Sequence, residues 1–497
     1  MAQVLATPGV YIKEESSFPS SAVQVATAVP AFVGYTQMAI RDNKSLINVP
    51  TRITSLGEFL QFFGGAPATK YGVSEDAETG FKIEADPKTK FNLYKSMRLF
   101  FSNGGSTCYI VSVGTYDYEK GVEYAPLNDP GAGAGIPTLL KFPEPTMLVI
   151  PDAVLLEDAN NCYQLQKDML MHCGKDMKSR VALLDVYNGD TARNYADDDV
   201  INASREGVGM EFLQWSAMYY PFLNTTIVQS DEVSYANIND FAAMTPLLDA
   251  QADALYGDDA QVIKDEIAKL APVGDGETVD TSLHQTLLAK VPLYKAILAE
   301  ITKDMNVLPP SGGMAGVISM VDGEVGVFQS PANVSMGSVV SPTVDLTSKD
   351  QEDLNLPLTG KAINAIRSFP GKGVLVWGAR TMDGNSQDWR YISVRRTVIM
   401  IEQSLKIAAE AYVFEPNVVN TWVAIKGMMT NFLKDQWKQG ALAGTTPEDA
   451  FSVDIGLGST MTPTDILDGI MNVTVKLAVT RPAEFIVITF QQQMQKS

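Results

Sequence analysis

Three short apolar runs constrain the fold of this chain more than any other feature: Met147-Leu148-Val149-Ile150-Pro151-Asp152, Val181-Ala182-Leu183-Leu184-Asp185-Val186 and Ser216-Ala217-Met218-Tyr219-Tyr220-Pro221. Each has the length of a buried strand, and helix-length segments of mixed polarity separate them. A strand that is apolar on both faces must be covered on both, so the alternation implies an α/β layer with a largely parallel sheet. The 497 residues, 45% hydrophobic and 19% charged, suffice for two or three domains and a substantial core. Residues 66–90 turn polar and rich in Gly and Pro, which reads as a surface loop or small insertion. Ala- and Leu-rich segments with acidic faces over 232–306 read as an inserted helical region. The alternating Gly131, Gly133 and Gly135 mark a flexible connection over 123–137, and they lack the Gly-Lys-Ser/Thr ending of a phosphate-binding loop.

The last third carries the sharpest local signals. Gly371 and Gly373 predict a tight turn, since glycine accepts positive φ readily, and Val374 to Trp377 follows as a buried strand. Val398, Ile401, Leu405, Ala408 and Tyr412 recur at helical spacing, with Pro416 as the stop. A second helix over 421–439 places Trp422, Ile425, Met429, Phe432 and Trp437 toward the core, with Lys426, Thr430, Lys434 and Lys438 on the other side. Val473, Val475, Leu477 and Val479 alternate with polar residues, as on a half-buried strand.

Both ends of the chain hold strand-like pieces without a local partner. At the start Val10 and Ile12 point one way and Tyr11 the other, and no hairpin turn follows. At the end Phe485, Ile486, Val487 and Ile488 follow the break at Pro482. A lone strand is unstable, so each end needs a mate elsewhere in the chain or in another copy.

The net charge of −20 is uneven. Residues 361–497 contain 14 Lys+Arg against 12 Asp+Glu, or +2, which leaves −22 on the first two thirds. Such a surface argues against nucleic acid or an anionic membrane as the main partner. No apolar run approaches the roughly 20 residues of a membrane span, and the N-terminus lacks a secretory pattern, so folding in the cytoplasm is expected. Cys108, Cys162 and Cys173 form no CxxC pattern and read as small buried hydrophobes.

Several separated motifs occur together. They are Asn364-Ala365-Ile366-Arg367, the run Phe369 to Thr381 with Gly371, Gly373, Trp377, Gly378 and Arg380, then Trp389-Arg390-Tyr391 with Arg395 and Arg396, Phe414-Glu415-Pro416-Asn417, Gly440 to Gly444, and Arg481-Pro482-Ala483-Glu484. With Pro8-Gly9-Val10-Tyr11 near the start and Pro309-Pro310-Ser311-Gly312 between, the chain resembles the sheath proteins of contractile phage tails and related injection machines. The resemblance implies a multi-domain α/β protein, α+β overall, whose larger domain is subtilisin-like. It implies an N-terminal arm at 1–28, an acidic α/β domain at 29–355, a C-terminal sheath core at 356–480 completed by strands exchanged between subunits, and a C-terminal arm at 481–497. The implied function is a helical polymer around an inner tube that contracts to drive the tube through a target envelope. Implied partners are further copies of the chain, the inner tube, and baseplate and terminal cap proteins, in a phage tail or phage-tail-like particle assembled in a bacterial cytoplasm and released from it. No cofactor is implied. Lys426, Lys434 and Lys438 are candidates for contact with an acidic tube, because the C-terminal third alone is not strongly negative.

A subtilisin-like fold raises the alternative of a serine hydrolase, which needs Ser, His and an acid in mutual reach. Only His172 and His284 are present, neither in a His-Gly-Thr setting, and Ser311-Gly312-Gly313 lacks the Gly-Thr-Ser order of a nucleophile loop. Two histidines without clustered cysteines also argue against a metal centre.

Overall fold

The computed structural model describes residues 22–196, 199–273 and 278–485. These divide into two compact units, one of residues 26–399 with 481–485, the other of residues 22–25 with 400–480.

The larger unit is built on a nine-stranded sheet. Its six central strands are all parallel, in the order Cys108–Thr115, Pro30–Thr36, Met147–Val149, Val181–Asp185, Ser216–Tyr220 and Asn364–Phe369. All three apolar runs therefore lie side by side, and their strands are buried along their whole length. Antiparallel strands finish both edges: Thr51–Ile53 on one, Gly373–Val376 and then Val334–Ser335 on the other. The predicted turn is there, with Gly371 and Gly373 at φ +75° and +78°.

Close packing around the sheet depends on missing side chains at a few points. Helix Ser311–Glu324 lies against helix Leu93–Ser102. A Cβ on Gly312 would sit 2.7 Å from the Ser96 Cβ, and one on Gly316 would sit 2.5 Å from the Phe100 carbonyl oxygen. The glycines after Ser311 thus permit a close helix crossing. The buried Asp152 accepts the backbone N–H groups of Tyr35, Asn92 and Leu93 at 3.2, 2.6 and 3.2 Å, which ties the first strand to the start of helix Leu93–Ser102.

Four expectations change. Residues 66–90 contain a hairpin, Tyr71–Ser74 with Lys82–Ala85. Tyr71 and Val73 share a second core with the helices of the 232–306 region, among them Met244, Leu287, Tyr294 and Ile301. The two insertions are one module, because a short hairpin is stable only when its apolar face is covered. Residues 123–137 are ordered by a short helix, Tyr124–Leu127, and a small hairpin, Asn128–Asp129 with Ala134–Gly135. The boundary expected at 356 falls at 399/400, since Tyr219 and Tyr220 pair with Asn364 and Ala365 inside the large sheet. The helix expected to run toward Pro416 spans Ile392–Glu410 and stops earlier, before Phe414 at φ +71°.

The smaller unit contains helix Val419–Lys438, close to the expected span, and a two-stranded antiparallel sheet of Phe451–Ile455 with Val473–Leu477. Val473, Val475 and Leu477 are half-buried as their alternation predicts. Gln24 and Val25 belong to this unit and bond to Gln436 and Ser404 at 3.2 and 3.0 Å.

Candidate functional site

The buried Ser311 and Asp185 meet. Asp185 ends a central strand and accepts from both the Ser311 N–H, at 2.8 Å, and its hydroxyl, at 2.5 Å. Burial pushes the Asp185 carboxyl up to about 7, against the lowering by these bonds. No histidine joins them. The His172 ring lies 3.3 Å from the Arg180 guanidinium, and burial together with that positive charge pushes it down to about 3. The His284 Nδ1 lies 2.8 Å from the Tyr294 hydroxyl in the second core. The Asp185 carboxylate thus takes up the first N–H of helix Ser311–Glu324. Among the described residues no group of three or more His, Cys, Asp or Glu is placed to hold a metal, and no helix is long and apolar enough to cross a membrane. All three cysteines are buried free thiols.

The motif residues from Asn364 to Arg380 gather instead around one edge of the sheet. The Asn364 carboxamide accepts the Arg380 N–H at 2.7 Å and donates to the Arg380 and Met218 carbonyls at 2.8 and 3.2 Å. A Cβ on Gly378 would lie 2.8 Å from the Asn364 side chain, so glycine is required there. Trp377 packs on Phe369 with ring centroids 4.5 Å apart, and the Arg367 guanidinium sits 5.3 Å over Phe369 while donating to Gln351 at 2.6 Å. Arg395 lies between Trp215 and Trp389, at 4.0 and 4.3 Å from their ring centroids. Arg396 makes a buried bidentate pair with Asp322 at 2.9 and 2.6 Å and donates to the Thr27 carbonyl at 2.9 Å. These residues position elements of the larger unit. Asn417 does so for the smaller one, accepting from Trp422 at 2.7 Å and donating to the Ile470 carbonyl at 3.1 Å, just after Pro416.

The smaller unit also exposes apolar side chains: Val413, Phe414, Val418, Val419, Val423, Leu467 and Ile470, with Phe414 and Leu467 at 102% and 86%. Among the described residues its sheet has two strands, so each has one edge without a strand partner. Lys426, Lys434 and Lys438 are all exposed on helix Val419–Lys438, and Lys438 lies 3.3 Å from Asp435. The unit as a whole is not basic. Residues 400–480 hold five Lys+Arg against nine Asp+Glu, or −4, so the positive charge of this unit is concentrated on that helix. Of the expected arm residues, Val10, Tyr11, Ile12, Ile486, Val487 and Ile488 lie outside the described residues, and Phe485 is exposed. Sequence reasoning missed one partner, Glu484, whose carboxylate binds Arg380. No local pattern signals a pair 104 residues apart.

Residues 385–493 match the family described as the phage tail sheath C-terminal domain. A comparison with curated proteins returns no match. Among solved structures, the sheath of the PVC extracellular contractile injection system in its contracted state is 27% identical, with 99% of each chain covered and a TM-score of 0.60. The contracted helical sheath of the anti-feeding prophage is 29% identical over 99% of this chain and 100% of that one, with a TM-score of 0.61. A chain of the anti-feeding prophage baseplate is 28% identical over the same shares, with a TM-score of 0.58. Its C-terminal end thus matches the sheath domain, and along its whole length the chain is similar to subunits of contractile sheaths.

Proposed function

We propose that the chain polymerises as a helical sheath around an inner tube and contracts to drive that tube through a target envelope. The observation that carries this reading is the two-stranded sheet of residues 400–480, open at its edges among the described residues, whose strand Val473–Leu477 is only half-buried. Such an edge accepts a further strand through main-chain hydrogen bonds, while alternate side chains set the register. The terminal segments around Val10 to Ile12 and Phe485 to Ile488 are the donors. Donors that reach different neighbours make a head-to-tail contact, and a rotation that does not close produces a tube. The likeness to contracted PVC and anti-feeding prophage sheaths supports this, and the baseplate match supports a place next to a baseplate. Inner tube and terminal cap complete the set of partners, with assembly in the bacterial cytoplasm and the finished particle released. In this reading the energy of contraction is stored at assembly, in an extended state less stable than the contracted one. Lys426, Lys434 and Lys438 face the tube.

Removal of residues 1–20 or of 486–497 tests the strand donors. Both truncated chains fold as subunits, with the circular dichroism of the intact chain, and form no long tubes by electron microscopy. Long tubes from both would end the strand-donor reading.

A further inference from the structure

The chain leaves the smaller unit after Thr480 and joins the larger one within five residues. Its first attachment is weak. Arg481 is half-exposed, donates to the Gln387 carbonyl at 2.7 Å and approaches Asp388 at 3.4 Å. The second attachment is of another kind. Both Glu484 oxygens are engaged by Arg380, Nε to Oε1 at 3.0 Å and Nη2 to Oε2 at 2.6 Å, and the Arg380 side chain is 1% exposed. Asn355 donates to Oε1 at 2.6 Å, and the Tyr391 hydroxyl donates to Oε2 at 3.0 Å. Burial alone raises the Glu484 carboxyl, but the bonds from Arg380, Asn355 and Tyr391 outweigh it and hold the group below its ordinary value.

What Glu484 holds is itself firmly set. Arg380 Nη1 donates to the Asn355 carbonyl at 2.8 Å, and its own backbone is bonded at both ends to the Asn364 side chain. Asn364 belongs to a strand of the nine-stranded sheet. Asn355 ends helix Ser348–Asn355, whose Asp353 takes Arg193 at 2.5 Å and Arg205 at 3.0 Å. A buried guanidinium stripped of its carboxylate is strongly destabilised, so the segment is not lightly detached. Next to this anchor the chain exposes Leu356, Leu358 and Phe485.

We propose that the Glu484 cluster is a mechanical anchor, which fixes the C-terminal segment to the larger unit so that a neighbouring copy holding residues beyond 485 pulls on the nine-stranded sheet and not on residues 400–480. This rests on the strand-donor reading above. It assigns Glu484, Arg380, Asn355 and Tyr391 a positioning role that the strand exchange alone does not require.

The test uses the full chain with Ala483→Cys carrying a nitroxide, since Ala483 is exposed and the three native cysteines are buried. In the free subunit the label gives a slow-motion spectrum, and adding Glu484→Ala abolishes the slow component. Tubes of the Glu484→Ala chain, which keeps residues 486–497, still form but fall apart at a lower guanidinium concentration than those of the parent. A retained slow component, or tubes as resistant as the parent, overturns the anchor. Should Glu484→Ala fail to fold by circular dichroism, Glu484→Gln, which keeps the shape and loses the charge, is decided by the same two readouts. Truncation at 485 separates this from the strand-donor reading: it leaves the label spectrum unchanged, and tubes formed by that chain count against strand donation alone.

Discussion

The two units solve the problem of a sheet edge in opposite ways. In the larger one, six parallel strands are closed on either side by antiparallel strands, and the strands Val181–Asp185 and Ser216–Tyr220 are buried at every position. Some of its buried charges are paired, as Arg396 is with Asp322. In the smaller one, two strands stand with one free edge each among the described residues, and Phe414, Val419, Val423 and Leu467 face solvent. Two strands alone are marginal in water. The difference teaches that, among the described residues, the larger unit ends its broad sheet in short antiparallel strands, whereas residues 400–480 hold only two strands beside an exposed apolar surface.

Amide hydrogen exchange breaks or sharpens this contrast most directly. In the unassembled chain, amides of Val473–Leu477 exchange faster than those of Val181–Asp185 by roughly a thousandfold or more, the gap between local opening and global unfolding. In assembled tubes that gap narrows, because an added strand covers the free edge. Equal protection in the unassembled chain would show that the smaller unit is already complete and would remove the contrast.

The same contrast explains what could be read from residues alone. Local periodicity is written into a sequence, so the three apolar runs, the turn at Gly371 and Gly373, helix Val419–Lys438 and the half-buried strand at Val473–Leu477 were all legible. The identity of a distant partner is not written there. Asn364–Phe369 carries no sign in the sequence that it pairs with Ser216–Tyr220, which is why a boundary expected at 356 moved to 399/400. Tyr71 and Val73 alternate over only four residues, too few to reveal a face packed on helices of the second insertion. Gly312 and Gly316 look like loop chemistry until the neighbouring helix is seen.

Asp185 supplies an intermediate effect and belongs to the larger unit alone. Its folded pKa, about 7, lies above the ordinary 3.8 because burial penalises the charge. A carboxyl raised in this way adds stability that is fully present below about pH 3.8 and is lost as the pH rises through about 7. Between pH 5 and 8 the native chain therefore loses on the order of 2 kcal/mol at this position, which Asp185→Asn does not lose. The melting temperature of the variant relative to the native chain accordingly climbs across that range. In the smaller unit, by contrast, Asp449 and Asp465 are held below their ordinary values, chiefly by bonds from the adjacent Thr446 and Thr462, so neither contributes a change between pH 5 and 8. A relative melting temperature that stays flat would mean that Asp185 is not strained by its burial.

The smallest effect on the subunit, and the most selective on assembly, concerns Lys426, Lys434 and Lys438. All three are exposed, and Lys438 has only the surface contact with Asp435. Exposed pairs of this kind contribute little, so reversing all three to Glu shifts subunit stability by less than about 1 kcal/mol. If the helix faces an acidic inner tube, the same reversal weakens co-assembly with tube protein, and most at low ionic strength, where charges several ångströms apart still act on one another. Raising the salt then brings native and reversed chains together, because screening removes the attraction in one and the repulsion in the other. Co-assembly that is equal at low salt would take the tube contact away from this helix. The exposed apolar residues of the unit, Val419 and Val423 on the same helix, would then be the surface to test next.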